Sequence, residues 1–302
     1  MKNSTEEIAG KFLGKKVEGK SQYDPSFLVA VPRQENRTYL GLNSEKYPEG
    51  FDTWYGYEFT ALTNSGVPLN RVIKITYPSS SIAIVESKSL KLYLNSFNMT
   101  RLGDTFEEVL EKAREMIRED LSKLLETEVM VSFIDETSDR VSIFEDYKDL
   151  YKVVKNVDKL SVTEYKENKD LLEVIPRNGL KQEHKLVFHS LKSNCRVTHQ
   201  PDYGDLFIKY VSTKYITEES LVKYLCSFRN EFHFHEEIVE CAFTRLSEIL
   251  DQDDELVVTA LYTRRGGIDI NPCRYQNFNI GSDISSLESP SVFSRYLNNI
   301  KQ

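Results

Sequence analysis

Residues 105–135 of the chain read TFEEVLEKAREMIREDLSKLLETEVMVSFID. Apolar residues recur in this stretch at three- and four-residue spacing, which predicts a helix with one buried face. The apolar positions are Phe106, Val109, Leu110, Ala113, Ile117, Leu121, Leu124 and Leu125. Thr105 followed by Glu108 fits a capping box at the start of this helix. The segment EVMVSFID then predicts a strand.

Two strands are predicted before this helix. WYGYEFTAL (54–62) and NRVIKITYP (70–78) are rich in aromatic and β-branched residues, and a Gly/Pro turn separates them. SIAIVESKSLKLY (81–93) continues the strand-like pattern and ends in a polar, lysine-bearing segment. The first 50 residues are rich in turn formers, and YDPSFLVAVPRQENR within them predicts an extended arm.

The same order of elements recurs in the second half. Residues 136–183 are charged and lack a firm period, so we expect a connection with short elements of its own. The later segments predict, in chain order, two strands, two helices and a strand: KLVFHSLKS, DLFIKYVS, TEESLVKYLCSF, HEEIVECAFTRLSEIL and ELVVTALYTRR. YLNSF (93–97) and YLCSF (224–228) lie at matching places in the two halves. We therefore predict a duplicated α+β unit, with antiparallel sheets and helices packed on one face.

The composition describes a chain that can form a sizeable core and bind a small ligand. It has 302 residues, of which 40% are hydrophobic. Its 39 Lys and Arg against 47 Asp and Glu give a net charge of −8, which disfavours a nucleic-acid partner. No stretch resembles a signal peptide or a membrane span, so we expect a cytoplasmic protein with no membrane partner.

Four polar clusters are candidates for the chemistry. Neither the G-x-G-x-x-G nor the G-x-x-x-x-G-K-[ST] motif occurs, so a dinucleotide would bind by another device. The first cluster is ESKSLKLYLNSFN (86–98), where a carboxylate beside a Ser-Lys pair could bind a ligand that has a donor edge and an anionic group. A solvated strand end is the alternative interpretation.

The second cluster is KSNCRVTHQPDYGD, which contains Cys195. A cysteine attacks as its thiolate, and the neighbouring cations Lys192 and Arg196 would favour that form. Asp202 follows a proline, which favours a turn that returns the carboxyl group towards the sulfur. Packing, metal ligation and nucleophilic attack all remain open for Cys195 from these residues alone.

The third cluster is EFHFHEE, at the start of a predicted helix. His233 and His235 alternate and would share a face in an extended segment, as a metal-binding pair does. A zinc site with Cys195 and Cys241 is conceivable, but Cys241 lies among core positions and is explained as a small hydrophobe. His235 and Glu236 instead form an adjacent acid–base and acceptor pair.

The fourth cluster is YTRRGGIDINPCR (262–274). Paired arginines precede paired glycines at the end of a strand, so guanidinium and backbone groups could approach phosphates closely. A turn with a solvated flank is the alternative.

Together the four clusters resemble the signatures of NADPH-dependent 7-cyano-7-deazaguanine reductases, the nitrile reductases of queuosine biosynthesis, in their long two-unit form. The resemblance begins near Tyr23 and is weakest in 136–183. It implies tandem tunnelling-fold units, a fold also used by GTP cyclohydrolase. We therefore expect four segments: an N-terminal arm (1–50), a first unit (51–150), a connection (151–183) and a second unit (184–302).

The resemblance also implies the reaction. A nitrile would be reduced to an aminomethyl group with two NADPH and no metal. Cys195 would be the nucleophile that forms a covalent thioimide, and Asp202 would be the proton donor. We expect burial in the closed site to raise the pKa of Asp202 so that it is protonated. His235 would assist proton transfer around the second reduction.

The binding residues implied by the resemblance come from both halves. Glu86 and Glu236 would accept the adjacent N–H groups of a guanine-like ring, because a carboxylate can accept two such bonds in parallel. The full substrate set is Val85, Glu86, Ser87, His235 and Glu236. The NADPH set is Ser87, Lys88, Arg265 and Gly266, with Lys91 and Arg264 as weaker additions. The resemblance further implies a homodimer or a larger ring-like assembly.

Two alternatives predict different behaviour. A zinc-dependent cyclohydrolase on the same fold would contain stoichiometric zinc and lose activity with a chelator. A non-enzymatic purine- or pterin-binding module would bind its ligand without a covalent adduct and without oxidising NADPH.

Overall fold

The computed structural model describes residues 4–16, 19–42, 47–135, 138–278, 282–290 and 292–296. The strands are β1 (Ala30–Pro32), β2 (Glu49–Thr63), β3 (Pro68–Pro78), β4 (Ala83–Val85), β5 (Arg101–Gly103), β6 (Met130–Ile134), β7 (Asp139–Ser142), β8 (Lys148–Asp149), β9 (Val174–Pro176), β10 (Gln182–Asn194), β11 (Pro201–Ser212), β12 (Lys214–Ile216), β13 (Glu255–Tyr262), β14 (Ile268–Gln276) and β15 (Val292–Arg295). The α-helices are α1 (Ser4–Ala9), α2 (Arg33–Tyr39), α3 (Ser87–Asn95), α4 (Phe106–Leu125), α5 (Leu150–Val153), α6 (Glu218–Ser227), α7 (His235–Ile249) and α8 (Ser282–Glu288). No helix in these ranges is long and apolar enough to cross a membrane.

One sheet extends across both halves of the chain. Within the described residues it has nine strands in the order β6–β3–β2–β14–β13–β11–β10–β8, with β5 paired to β2. The pairings are antiparallel except for β10–β8 and β2–β5. The halves meet where β14 pairs with β2, with Ile270 opposite Trp54. The predicted α+β class with antiparallel sheets is confirmed.

The four longest helices cover one face of this sheet. In the first half, Val109, Ala113 and Ile117 of α4 are fully buried against the strands. In the second half, α6 and α7 pack in the same way, with Leu225 and Ile238 fully buried. Alternate residues of each strand point to this face, which explains the apolar alternation in the sequence.

The opposite face is covered by residues 143–147 and by the C-terminal segment. Phe144 stacks on Phe207 of β11 with ring centroids 4.3 Å apart. Residues of the short helix α8, such as Leu287, pack into the same apolar cluster. The sheet is therefore buried on both sides, although the sequence predicted helices on one side only.

The YLNSF and YLCSF segments form the same structure in the two halves. Each ends a helix, and in each the tyrosine and phenylalanine rings meet edge to face, with centroids 5.5 Å apart in Tyr93–Phe97 and 5.4 Å apart in Tyr224–Phe228. In each the serine hydroxyl donates to the tyrosine carbonyl at 2.6 Å. This correspondence supports an internal duplication.

The prediction of a continuing strand after Val85 is wrong, because residues 87–95 form α3. Both oxygens of the Glu86 carboxylate cap this helix, accepting the backbone N–H groups of Lys88 and Ser89 at 2.8 Å. Leu90 and Tyr93 then lie on one buried face at helical spacing. The alternation of polar and apolar residues fits either structure, and the cap favours the helix.

The prediction of an extended N-terminal arm is wrong at residues 33–39, which form α2. Arg33 and Arg37 lie one helical turn apart, and both are buried. Arg33 forms an ion pair with Asp52, and Arg37 forms one with Glu240. These contacts attach the N-terminal segment to both halves of the molecule.

Candidate active site

A cavity of about 380 Å³ is lined by residues from both halves. The predicted site residues that line it are Val85, Ser87, Lys88, Lys91, Cys195, Asp202, His235, Glu236, Arg265 and Gly266. They come from the start of α3, the β10–β11 connection, the start of α7 and the β13–β14 turn. The structure therefore brings together four clusters that are far apart in sequence.

Cys195 lies in a tight turn that joins β10 to β11. Its backbone N–H donates to the carbonyl of Gln200 at 2.8 Å, and its carbonyl accepts the N–H of His199 at 2.9 Å. Ser193 pairs with Asp202 across the two strands. Cys195 and Asp202 consequently lie at the same end of the hairpin, as the turn prediction required.

The segment before α7 runs beside this turn. The Asn194 N–H donates to the carbonyl of Glu231 at 2.8 Å, and the His233 N–H donates to the carbonyl of Asn194 at 3.0 Å. These two backbone bonds hold His235 and Glu236 beside the cysteine turn.

Asp202 is buried and carries a negative charge in this structure. Its Oδ1 accepts from the Arg265 guanidinium, and its Oδ2 lies 3.5 Å from His235 Nε2. Burial acts to raise the pKa of Asp202, but the contact with His235 and the charge of Arg265 outweigh it, so the pKa lies below its usual value. The pKa of Asp202 in this structure is therefore shifted in the direction opposite to the prediction.

His235 is held by a flat stack on Tyr262. The ring centroids are 3.7 Å apart and the rings are inclined by only 3°. The imidazole Nδ1 is buried and has no hydrogen-bond partner among the described residues. The stack keeps Nε2 directed at Asp202, so these two side chains can share a proton.

Glu236 is a buried carboxylate with unused hydrogen-bonding capacity. Burial, followed by the nearby negative charge of Asp52, raises its pKa to about 8, against the opposing effects of Arg33 and Arg274. Its Oε1 is buried without a hydrogen-bond partner within the described ranges. When ionised, this carboxyl group is suited to accept N–H groups from a ligand.

Glu86 lies just outside the cavity lining. Its two oxygens cap α3, and Oε1 also accepts from the Ser87 hydroxyl at 3.3 Å. Burial raises its pKa, although the N–H groups of Lys88 and Ser89 act in the opposite direction. Glu86 thus lies at the N-terminus of α3, where its side chain stabilises the first turn of the helix.

One wall of the cavity is basic and suited to the phosphates of a dinucleotide. Lys88 and Lys91 extend from α3, and Arg265 faces them from the β13–β14 turn. Gly266 has φ of 60°, and a Cβ there would lie 2.9 Å from the Lys91 Nζ. The positive φ favours glycine at this position, and the cationic groups of this wall could bind phosphates.

Arg264 does not belong to this wall. Its guanidinium lies over the Tyr57 ring, 4.1 Å from the centroid, and it is not among the residues that line the cavity. Adjacent residues of an extended segment point in opposite directions, which separates Arg264 from Arg265.

His233 lines the cavity as a cation held by two carboxylates. Nε2 lies 3.2 Å from Glu231 and Nδ1 lies 3.4 Å from Glu237. Burial acts to lower its pKa, but the hydrogen bonds to these carboxylates raise the pKa to about 9. Both ring nitrogens are thus engaged, and Cys241 is buried in the helix core.

Several lining residues were not predicted from the sequence. They are Leu13, Trp54, Ile84, Gln200, Phe234, Ile268 and Ile270. Ile268 and Ile270 were missed because β14 was not recognised as a strand. In the sequence, Trp54 resembles an ordinary core residue of β2. It is the only tryptophan of the chain, and this could have drawn attention to it.

Residues 19–133 match the family described as "Nitrile reductase, 7-cyano-7-deazaguanine-reductase N-term", and residues 201–279 match the family described as "QueF-like protein". The chain is 38% identical over 283 residues to a protein named NADPH-dependent 7-cyano-7-deazaguanine reductase from Colwellia psychrerythraea. That alignment covers 90% of this chain and 93% of the relative. The similarity thus extends over both halves of the chain.

Proposed function

The chain belongs to the family of NADPH-dependent 7-cyano-7-deazaguanine reductases, and on this premise we propose that it reduces the nitrile of 7-cyano-7-deazaguanine to an aminomethyl group through a covalent intermediate on Cys195. The observation that carries the proposal is the convergence of Cys195, Asp202, His235 and Glu236 on one cavity. The product, 7-aminomethyl-7-deazaguanine, would serve queuosine formation in tRNA.

The first step is addition of the Cys195 thiol to the nitrile. The S–H bond breaks, an S–C bond forms, and the C≡N group becomes the C=N–H of a thioimide. Asp202 is ionised in this structure, so it first accepts the thiol proton and then delivers it to the nitrile nitrogen. The lowered pKa of Asp202 is thus compatible with its role as proton donor, because the proton comes from the cysteine.

The later steps need binding of NADPH and further protons. NADPH, when bound, would supply a hydride in each of two reductions. Between them the S–C bond would break, so that Cys195 leaves as a thiolate and an imine remains to accept the second hydride, with a proton added to its nitrogen. Lys88 and Arg265 would hold its phosphates, with Ser87 as a hydroxyl donor and Gly266 allowing close backbone approach. His235 lies against Asp202 and would restore its proton between the two reductions.

The base is bound by the remaining lining residues. Glu236 would accept N–H groups of the ring with its unpartnered oxygen. Val85 and Ser87 would lie against the opposite side of the ring. Glu86 would hold these two residues in place by capping α3. His235 would contact the reacting group.

Mass spectrometry of the protein mixed with 7-cyano-7-deazaguanine in the absence of NADPH tests the covalent step. We expect an adduct of the substrate's mass on Cys195, lost in Cys195→Ala and retained in Cys226→Ala, which removes a half-buried cysteine outside the cavity. NADPH oxidation without any adduct would contradict the covalent mechanism. Stoichiometric zinc with chelator-sensitive activity would instead favour a cyclohydrolase.

We also propose that the chain acts in the cytoplasm as a homodimer or a larger homo-oligomer, without binding nucleic acid. The net charge of −8 supports a small-molecule substrate over a polyanion. Light scattering during size-exclusion chromatography would measure the assembly. The proposed segments are an arm (1–50), two units (51–150 and 184–302) and a connection (151–183), and the repeated helix ends support two units.

A further inference from the structure

Trp54 lines the cavity and carries an unused hydrogen-bond donor. It is the only tryptophan of the chain and lies on β2, between Ile75 of β3 and Ile270 of β14. The residue is 1% exposed and lines the cavity. Its indole Nε1 is buried and has no hydrogen-bond partner among the described residues. Burying an N–H group without an acceptor is costly, and folded proteins rarely do so without a reason.

The same cavity contains an unused acceptor of matching kind. Glu236 Oε1 is buried and also unpartnered within the described residues. Ile268 and Ile270 also line the cavity, and a donor and an acceptor on residues of one cavity suit a flat ring whose edge carries a carbonyl beside N–H groups. The lactam edge of a guanine-type base has this arrangement.

We propose that the Trp54 indole N–H donates a hydrogen bond to the ring carbonyl of the bound base while Glu236 accepts from its N–H groups. The inference rests on the proposed function, since it concerns the same base. It assigns Trp54 as the residue that selects a 6-oxo ring. A 6-amino ring would place an N–H donor against the indole N–H, and a buried polar site rejects a ligand that leaves its groups unpaired.

The test compares two nitriles, 7-cyano-7-deazaguanine and its 2,6-diamino analogue, which differ at ring position 6 and at N1, where only the 6-oxo base carries a hydrogen. The loss at N1 affects the contact with Glu236 equally in the wild type and in the variant, so the change in preference between the two proteins reports on Trp54. Calorimetric Kd values would be measured without NADPH for the wild type and for Trp54→Phe, which keeps an aromatic ring but removes the N–H. We expect Trp54→Phe to bind the 6-oxo base about tenfold more weakly, the effect of one lost hydrogen bond. Binding of the diamino analogue should not weaken, so the preference of the protein for the 6-oxo base over the diamino analogue should fall about tenfold.

Tyr55→Phe is the matched control. Tyr55 is the next residue of the same strand and is equally buried, but it points to the opposite face, where its hydroxyl accepts the Ser294 N–H at 3.3 Å. The change also removes a buried polar group, and the preference for the 6-oxo base should stay at the wild-type value. Circular dichroism would confirm that both variants are folded.

A second variant avoids any change in ring size. Because the chain contains one tryptophan, its biosynthetic replacement by benzothienylalanine removes the N–H at Trp54 alone. An unchanged preference in this protein, with normal adduct formation on Cys195, would overturn the role of Trp54 and leave the proposed function intact. Absence of the adduct in the wild type would instead contradict the proposed function.

Discussion

At the scale of single residues, Arg265 takes part in two interactions that compete. Its guanidinium binds Asp202, and its Nη2 also donates to the Gln200 side chain at 2.7 Å. The same side chain is proposed to bind a phosphate of NADPH. One guanidinium has limited donors in a fixed fork, so moving towards a phosphate would weaken its hold on Asp202. The pKa of Asp202 would then rise, which favours its protonated form.

Replacing Arg265 should change the pH dependence of thioimide formation. Asp202 must be ionised to accept the cysteine proton, so the rate should fall as pH drops through the pKa of Asp202. Arg265→Met removes a cation that lowers this pKa, and the acidic limb should move up by about one pH unit. Stopped-flow measurement of adduct formation without NADPH would show this shift.

Arg264→Met is the matched control, because Arg264 lies on the Tyr57 ring away from the cavity. Its pH profile should follow the wild type. An equal shift in both variants would mean that net charge, and not the contact with Asp202, is responsible.

Base binding should depend on the ionisation of Glu236. Its pKa of about 8 means that much of the free protein holds a protonated Glu236 at neutral pH, whereas two N–H groups of the base are best accepted by the anion. Affinity should therefore rise from pH 7 to pH 9, with proton release on binding. Calorimetry in buffers of different ionisation enthalpy would measure that release. In Glu236→Gln, affinity should be lower and this pH dependence absent, and its persistence would point to another group.

At the scale of elements, a buried lysine holds the C-terminal segment on the sheet. The Lys74 side-chain nitrogen of β3 donates to the carbonyl groups of Ser286, Ser289 and Val292, and burial lowers its pKa to about 7. These three acceptors match the three N–H bonds of its protonated form. The contact links β3 to the end of α8 and the start of β15, neither of which was predicted from the sequence.

Lys74→Met should therefore loosen this segment. Three carbonyl groups would lose a shared donor, at a cost of about 1–3 kcal/mol in the free energy of unfolding. Hydrogen–deuterium exchange should become faster in residues 282–296 with little change in α4. Lys112→Met, at an exposed position of α4, should leave both regions unchanged. Uniformly faster exchange throughout Lys74→Met would show that the lysine supports the whole sheet.

At the scale of the whole molecule, a buried ion network joins the N-terminal segment to both halves. Arg274 of β14 binds Asp52 of β2 at 2.9 Å and Glu240 of α7 at 3.1 Å. Arg33 and Arg37 of α2 bind the same two carboxylates. Because the network crosses the β2–β14 seam, the halves cannot separate without exposing uncompensated charge.

We expect the molecule to unfold in one transition. Urea curves followed by Trp54 fluorescence, which reports on the first half, and by far-UV circular dichroism should coincide. Arg274→Met should lower the free energy of unfolding by about 3–5 kcal/mol, because it leaves two buried carboxylates short of a partner. Separate transitions for the two probes would contradict a single cooperative unit.

The sequence by itself determined the elements whose pattern is local. The 3.6-residue period of α4 and α7 and the alternation in β10, β11 and β13 encode which face is buried, and such patterns are read within ten to twenty residues. The four chemical clusters were also recognisable, because each is a short run of polar residues. Resemblance to one family then indicated that the clusters act together.

The tertiary structure alone decided what depends on contacts between distant residues. Pairing of β14 with β2 joined the halves, and strand register placed Trp54 in the cavity wall. The contacts of Asp202 with His235 and Arg265 reversed the expected direction of its pKa shift. A pKa depends on every charge within several ångströms, and register is set across the sheet. Neither is contained in any short stretch of the chain, which is why these features appear only in the folded molecule.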